Sequence, residues 1–131
     1  MNEINKPFFA PQLYIPNGTR DIEFYTKAFG AAELRQWMND DGTYHVAELS
    51  INGALFHLHE ESVGSGKFSP AKLNGISVNI GLFVPDMDAV MDKAIAAGAT
   101  VISAAQSYDY GYRQGVIKDP FGHQWLIEMK I

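Results

Sequence analysis

Tyr44-His45-Val46-Ala47-Glu48-Leu49-Ser50-Ile51-Asn52-Gly53-Ala54-Leu55-Phe56-His57-Leu58-His59-Glu60 decides the fold. Two short runs rich in branched and aromatic residues flank Asn52-Gly53, the dipeptide best suited to a two-residue hairpin turn because both positions tolerate positive φ. Taking that turn literally, Ile51 faces Ala54 and Glu48 faces His57. Successive side chains of a strand point to opposite faces, so Ala47, Leu49, Ile51, Ala54, Phe56 and Leu58 form one apolar face, expected to pack under a helix. Val46, Glu48, Ser50, Leu55, His57 and His59 form the other. A slip of one residue would exchange the faces, so the apolar pattern itself specifies the register.

Working outward, Phe8 to Ile15 reads as a strand closed by Pro16-Asn17-Gly18. A helix follows from about Arg20 to Phe29, with Asn17 or Thr19 as N-cap and Gly30 just past its end. Ala32 to Met38 is a strand and Asn39-Asp40-Asp41-Gly42 a turn, which gives the unit β-α-β-β-β over residues 8–60. Residues 61–75 turn to Ser, Gly, Lys and Pro and are expected to be a flexible linker. Beyond it Ile76 to Val84 is a strand, and Asp86 caps a helix from Met87 to Ala97 that buries Met87, Val90, Met91, Ala94 and Ile95. Strands at Thr100 to Ala105, Tyr110 to Lys118 and His123 to Met129 complete a second unit over 76–129. Ile15-Pro16 recurs as Val84-Pro85, 69 residues on, and Gly30 as Gly98, 68 on, so the chain is a duplicated unit. The expected architecture is α+β: two βαβββ repeats in one domain spanning 1–131, forming a curved, mostly antiparallel eight-stranded sheet around a cavity with the helices outside.

Composition agrees with a packed core. Of 131 residues, 47% are hydrophobic and 19% charged, with eight Phe, six Tyr and two Trp, outside the range of disordered chains. The net charge of −5 argues against nucleic acid, whose phosphates demand concentrated positive charge. No cysteine is present, so thiol nucleophiles, disulfides and thiolate metal sites are excluded. No apolar run approaches a membrane span, and Met1 to Phe9 lacks a signal pattern, so a cytoplasmic location is expected. There is no phosphate-binding glycine loop, nucleophile elbow or His-Glu-x-x-His pattern.

Ile22-Glu23-Phe24-Tyr25 with Phe29-Gly30, then Val84-Pro85-Asp86-Met87-Asp88 with Ala97-Gly98-Ala99 and Asp119-Pro120-Phe121-Gly122, resemble the vicinal oxygen chelate superfamily, which includes glyoxalase I, bleomycin-resistance proteins and extradiol dioxygenases. Asp119 to His123 and the Phe24-Tyr25 helix are most similar to its PhnB-like or glyoxalase-like subgroup. The resemblance spans roughly Phe8 to Met129. It implies metal ligands at Ala10 and Asn79 on the first strands and at His57 and Leu126 on the last. Ala10 and Leu126 have no donor atom, so this set is incomplete and glyoxalase I activity is not expected; a register two residues on brings in Gln12. The resemblance also implies a homodimer.

The polar face of the hairpin is placed by the same resemblance on the cavity lining. Glu48, His57 and His59 are the catalytic candidates: a carboxylate beside an imidazole tunes it for proton transfer, and His at i and i+2 point the same way. They are equally readable as a divalent metal site built on His57 and Glu48, or as a solvated polar face without chemistry. Substrate-binding candidates are Gln12, Tyr14, Asn79, Tyr112, Gln114 and Glu128. Glu128 would supply a second carboxylate, although its near-terminal position favours solvation. Trp37, with Arg35 and Tyr44 near, is a further candidate for the lining. His45 is expected at a solvated edge, His123 to bond loop backbone, and Trp125 to join the helix-packing core. Tyr108-Asp109-Tyr110-Gly111-Tyr112 either covers a ligand pocket or pairs with a second subunit. Two functions stay open: an enzyme of lyase, isomerase or dioxygenase type on a small oxygenated molecule, or a non-catalytic ligand-binding or antibiotic-sequestering protein.

Overall fold

The computed structural model describes residues 5–131. The chain runs β1 (Gln12–Ile15), α1 (Glu23–Phe29), β2 (Ala32–Met38), β3 (Tyr44–Ile51), β4 (Ala54–Glu60), a 3-10 turn (Val63–Ser65), α2 (Pro70–Leu73), β5 (Asn79–Phe83), α3 (Met87–Ala96), β6 (Thr100–Tyr108), β7 (Tyr112–Lys118) and β8 (Gln124–Lys130). Asn52 and Gly53 take φ of 48° and 96°, the paired positive values of the tight hairpin turn. That turn sets the β3–β4 register at Ile51 opposite Ala54 and Glu48 opposite His57.

The eight strands form two four-stranded sheets, one per repeat, ordered β1-β4-β3-β2 and β5-β8-β7-β6. β1 pairs β4 and β5 pairs β8 in parallel, and the other pairs are antiparallel. The repeats share one core, because Tyr25 of α1 lies 5.4 Å from Phe56 of its own sheet and 6.0 Å from Trp125 of the other. Tyr25, Phe56, Trp125 and Met91 of α3 are all buried. The helices therefore cover one face of each sheet, and the opposite faces carry the candidate groups.

Several boundaries differ from the sequence reading. β1 starts at Gln12, not Phe8, because Pro11 offers its carbonyl to the His57 amide, 2.9 Å away, but has no N–H to continue the ladder. α1 starts at Glu23: the Thr19 hydroxyl donates to the Pro16 carbonyl at 2.6 Å, and the helix takes its first outside acceptor from Asp21, 2.8 Å from the Glu23 amide. Asp86 caps α3 as read, accepting from the Ala89 amide at 3.1 Å. β5 begins at Asn79, and β6 runs on to Tyr108 so that Tyr110 falls in the β6–β7 turn. Within 61–75, Glu61 accepts from the amide and hydroxyl of Ser69 at 2.9 and 3.0 Å, and both residues are buried. No helix among the described residues is long and apolar enough to cross a membrane.

Candidate functional site

On the face of the first sheet away from the helices, one row of strand partners crosses all four strands: Gln12, His57, Glu48 and Arg35. The next row is Tyr14, His59, Val46 and Trp37. Period-two alternation puts these polar side chains together. His57 Nε2 comes within 3.2 Å of Glu48 Oε2, an electrostatic contact without hydrogen-bond geometry. Nε2 of His57 and Nε2 of His59 are both buried and have no hydrogen-bond partner among the described residues. The two rings lie 6.1 Å apart and nearly parallel, and Tyr14 meets His59 edge-on at 6.1 Å. Burial, followed by the neighbouring charges of His57, His45 and Lys67, holds His59 below the ordinary imidazole range, so its ring is favoured in the neutral form. Arg35 stacks over Trp37, 4.7 Å from the ring centre.

Gln12 and Tyr14, at the edge of that face, also border a cleft with Asn79. This cleft, of about 620 Å³, opens between β1 and residues 75–81, lined by these three with Phe68, Val78 and His123. His123 Nε2 donates to the Tyr14 carbonyl at 2.8 Å, so this histidine ties β8 to the outer edge of β1. Glu48, His57 and His59 do not line the cleft.

The second sheet brings Tyr112, Gln114 and Glu128 to its own face away from the helices. Phe83, Glu128, Gln114 and Gln106 are strand partners in one row, and Tyr112 partners Tyr108 in the next. Glu128 is only 6% exposed and accepts from Gln114 Nε2 at 2.8 Å, which corrects the expectation of a solvated terminal carboxylate. β8 is an inner strand flanked by β5 and β7, and that placement buries it. Tyr44 also departs from the sequence reading. An irregularity between Trp37 and Met38 pairs Tyr44 with Met38, so it turns to the helix side and donates to Glu33 at 3.1 Å. Burial, and then the Glu33 carboxylate, pushes its hydroxyl up to about 12. His45 is more than half exposed and contacts Glu60 at 2.8 Å, and Trp125 is buried against Phe29 and Tyr25.

The metal positions implied by the family resemblance fail on donor chemistry. Ala10 and Leu126 carry no donor, Asn79 offers one amide oxygen, and a zinc-type site needs three or four protein ligands. His57 with Glu48 supplies two donors, and among the described residues no group of three or more His, Cys, Asp or Glu is placed to hold an ion. The reading from sequence missed Phe83, which shares its face with Asn79 by simple parity along β5.

The family model described as the Glyoxalase/Bleomycin resistance protein/Dioxygenase superfamily matches residues 9–127. The uncharacterized protein Mb0911c of Mycobacterium bovis is 39% identical over 125 residues, covering 93% of this chain and 82% of that protein. The X-ray structure of the Arabidopsis thaliana gene product At5g48480 matches with TM-score 0.69 and 28% identity over 93% of this chain and 98% of the other. TioX from Micromonospora sp. ML1 matches with TM-score 0.71 and 21% identity, over 95% and 97% of the two chains, a likeness of fold.

Proposed function

The chain belongs to the glyoxalase/bleomycin resistance protein/dioxygenase superfamily, and from that premise we propose that it binds a small oxygenated molecule on the Gln12–His57–Glu48 row of its first repeat. One observation carries the reading: the buried Nε2 atoms of His57 and His59 have no hydrogen-bond partner among the described residues. Leaving a buried polar atom unpaired costs ~1–3 kcal/mol, and two such atoms on neighbouring parallel rings make a ready pair of contacts for a ligand's oxygens. Neutral His59 offers a donor or an acceptor according to its tautomer, and the Gln12 amide offers both. Binding and sequestration need nothing more.

Catalysis is a second reading, favoured by the 3.2 Å approach of Glu48 Oε2 to His57 Nε2. Such a carboxylate–imidazole pair can take a proton from a ligand carbon or oxygen and return it, the core step of lyase or isomerase chemistry. The protein is proposed to act as a homodimer. Leu34, Trp37 and Met38 on β2 and Val101 and Ile102 on β6 are exposed, and each of these strands is one edge of its sheet, where an unpaired edge and apolar side chains favour a protein partner. Light scattering giving the mass of one 14.5 kDa chain would remove that part.

The binding test is an NMR titration of the His57 and His59 ring signals with small dicarbonyls, hydroxycarbonyls and catechols. Saturable shifts confined to these rings, lost in His57→Ala and His59→Ala, are expected; no saturable response to any class overturns the reading. Exchange of a ligand carbon-bound proton for deuterium, present in wild type and lost in Glu48→Gln, separates catalysis from binding.

A further inference from the structure

The two repeats carry different chemistry on equivalent rows. Phe56 of β4 and Trp125 of β8 are repeat equivalents in the core, so the counterpart of the Gln12–His57–Glu48–Arg35 row is Gly81–Leu126–Val116–Ser103. That row has no charge. The polarity of the second sheet sits one row further along, at Phe83–Glu128–Gln114–Gln106, the counterpart of Tyr14–His59–Val46–Trp37, where a carboxylate and an amide stand in place of imidazole and valine.

We propose that this row, walled by Tyr108, Tyr110 and Tyr112, is a separate subsite for an organic ammonium cation. The Glu128 carboxylate is buried yet forms no ion pair among the described residues. A buried carboxylate is costly without a cationic partner, and Gln114 gives it one neutral hydrogen bond only. Room for the carboxylate comes from Gly81, where a Cβ would stand 3.1 Å from Glu128 Oε2. Around it the aromatic groups form a continuous wall: Tyr108 stacks on Tyr110 at 5.2 Å, Tyr110 meets Tyr112 at 5.9 Å, and Phe83 meets Tyr112 at 5.7 Å. The Tyr110 hydroxyl donates to Gln114, linking the wall to the carboxylate. Burial, then Tyr108, Glu128 and Asp109, raises the Tyr110 hydroxyl above its ordinary range, so it stays a donor at neutral pH.

The outer rings remain accessible, with Tyr110 at 60% and Phe83 at 54% exposure. Negative π faces beside a carboxylate attract a large, weakly hydrated cation. A divalent metal ion is a poor occupant, since it needs several oxygen ligands and only one carboxylate is present. Lys130, exposed and the strand partner of Tyr112, is the chain's own cation on this face, and its charge disfavours a second cation beside Glu128. The subsite stands independently of the ligand proposed for the first repeat.

The experiment is an amide NMR titration with choline and with dimethylbutanol, its uncharged carbon isostere. Choline is expected to give saturable shifts at residues 108–114 and at Glu128, with the alcohol about tenfold weaker or more. Glu128→Gln should weaken choline by a similar factor, Lys130→Gln should strengthen it, and His57→Ala should leave it unchanged. Equal binding of the alcohol, or unchanged binding in Glu128→Gln, overturns the proposal. Should Glu128→Gln fail to fold, exposed Tyr110→Leu decides: weaker binding supports the subsite and unchanged binding overturns it. Choline shifts centred on His57 and His59 would overturn it while leaving the first-repeat reading intact.

Discussion

Asp119→Asn is expected to destabilise the fold by ~3 kcal/mol, through a hydrogen-bond mismatch that can be counted. Asp119 Oδ1 accepts from the amides of Phe121 at 2.9 Å and His123 at 3.0 Å. Its Oδ2 accepts from the Tyr25 hydroxyl at 2.6 Å and from Trp125 Nε1 at 3.0 Å. Four donors thus converge on one buried carboxylate, and an amide can present an acceptor to only two of them. With the Asn oxygen toward the backbone, its NH2 faces Tyr25 and Trp125. The phenol can rotate and accept, but the indole N–H cannot. The variant therefore loses charge-assisted bonds worth ~1.5–3 kcal/mol each, regains a neutral one, and strands a buried donor at ~1–3 kcal/mol. Tyr25→Phe removes a single charge-assisted bond, for ~2 kcal/mol. Because the phenol bonds a different group in the Asn background, the double variant should fall short of the sum of the singles by ~1 kcal/mol.

Urea unfolding of all four proteins, with thermal melts as a check, measures these values. The Asn variant should melt lower by on the order of 10 °C. Singles that add within ~0.5 kcal/mol, or an Asn variant as stable as wild type, would refute the reasoning. The same pair has an alkaline signature. Burial, then the Asp119 charge, holds the Tyr25 hydroxyl well above its ordinary value of 10.0. The unfolded chain therefore loses that proton first, and stability should fall as pH rises above that ordinary value. Tyr25→Phe should remove this slope.

Burial opposes the ionised form of Glu61, but the hydrogen bonds from Ser69 and the Asn17 amide, with the Lys72 charge, together hold it below its ordinary value of 4.5; the unfolded chain then binds the proton first, so its contribution is present above that value and lost as pH falls through the depressed one. Denaturation of Glu61→Gln should differ from wild type at neutral pH and converge with it in acid; a constant gap would refute this. Binding of a ligand hydroxyl that donates to neutral His59 should persist below its ordinary value of 6.5 and be lost only once the ring is protonated and can no longer accept, and an affinity that halves near 6.5 in a calorimetric pH series would show an unperturbed ring. Gly115→Ala should cost ~1 kcal/mol in a thermal melt, since the new Cβ would stand 2.8 Å from Met91 Cε and 3.3 Å from the Ala105 amide nitrogen; no loss would mean that the Met91 side chain swings aside freely.

What the sequence by itself determined is what depends on neighbours along the chain. Asn52-Gly53 specifies a turn through its own φ preferences, the turn sets the register, and period-two alternation carries Glu48, His57 and His59 to one face. The Asp86 cap of α3 and the duplicated order of elements are local in the same sense. What only the tertiary structure decided depends on groups distant in sequence. The end of β1 was illegible because the ladder stops where Pro11 meets His57, and Tyr44 changed faces because of an irregularity that strand propensity does not encode. The burial of Glu128 follows from flanking by β5 and β7, whereas chain position alone pointed to solvent. Tyr25 bonds Asp119 across 94 residues, a contact that exists only once both repeats share a core. The candidate groups divide in the same way. Glu48, His57 and His59 are written in one hairpin, whereas Gln12 and Arg35 join their row only through the β1–β4 and β2–β3 pairings, and Phe83 reaches Glu128 only through the parallel β5–β8 pairing.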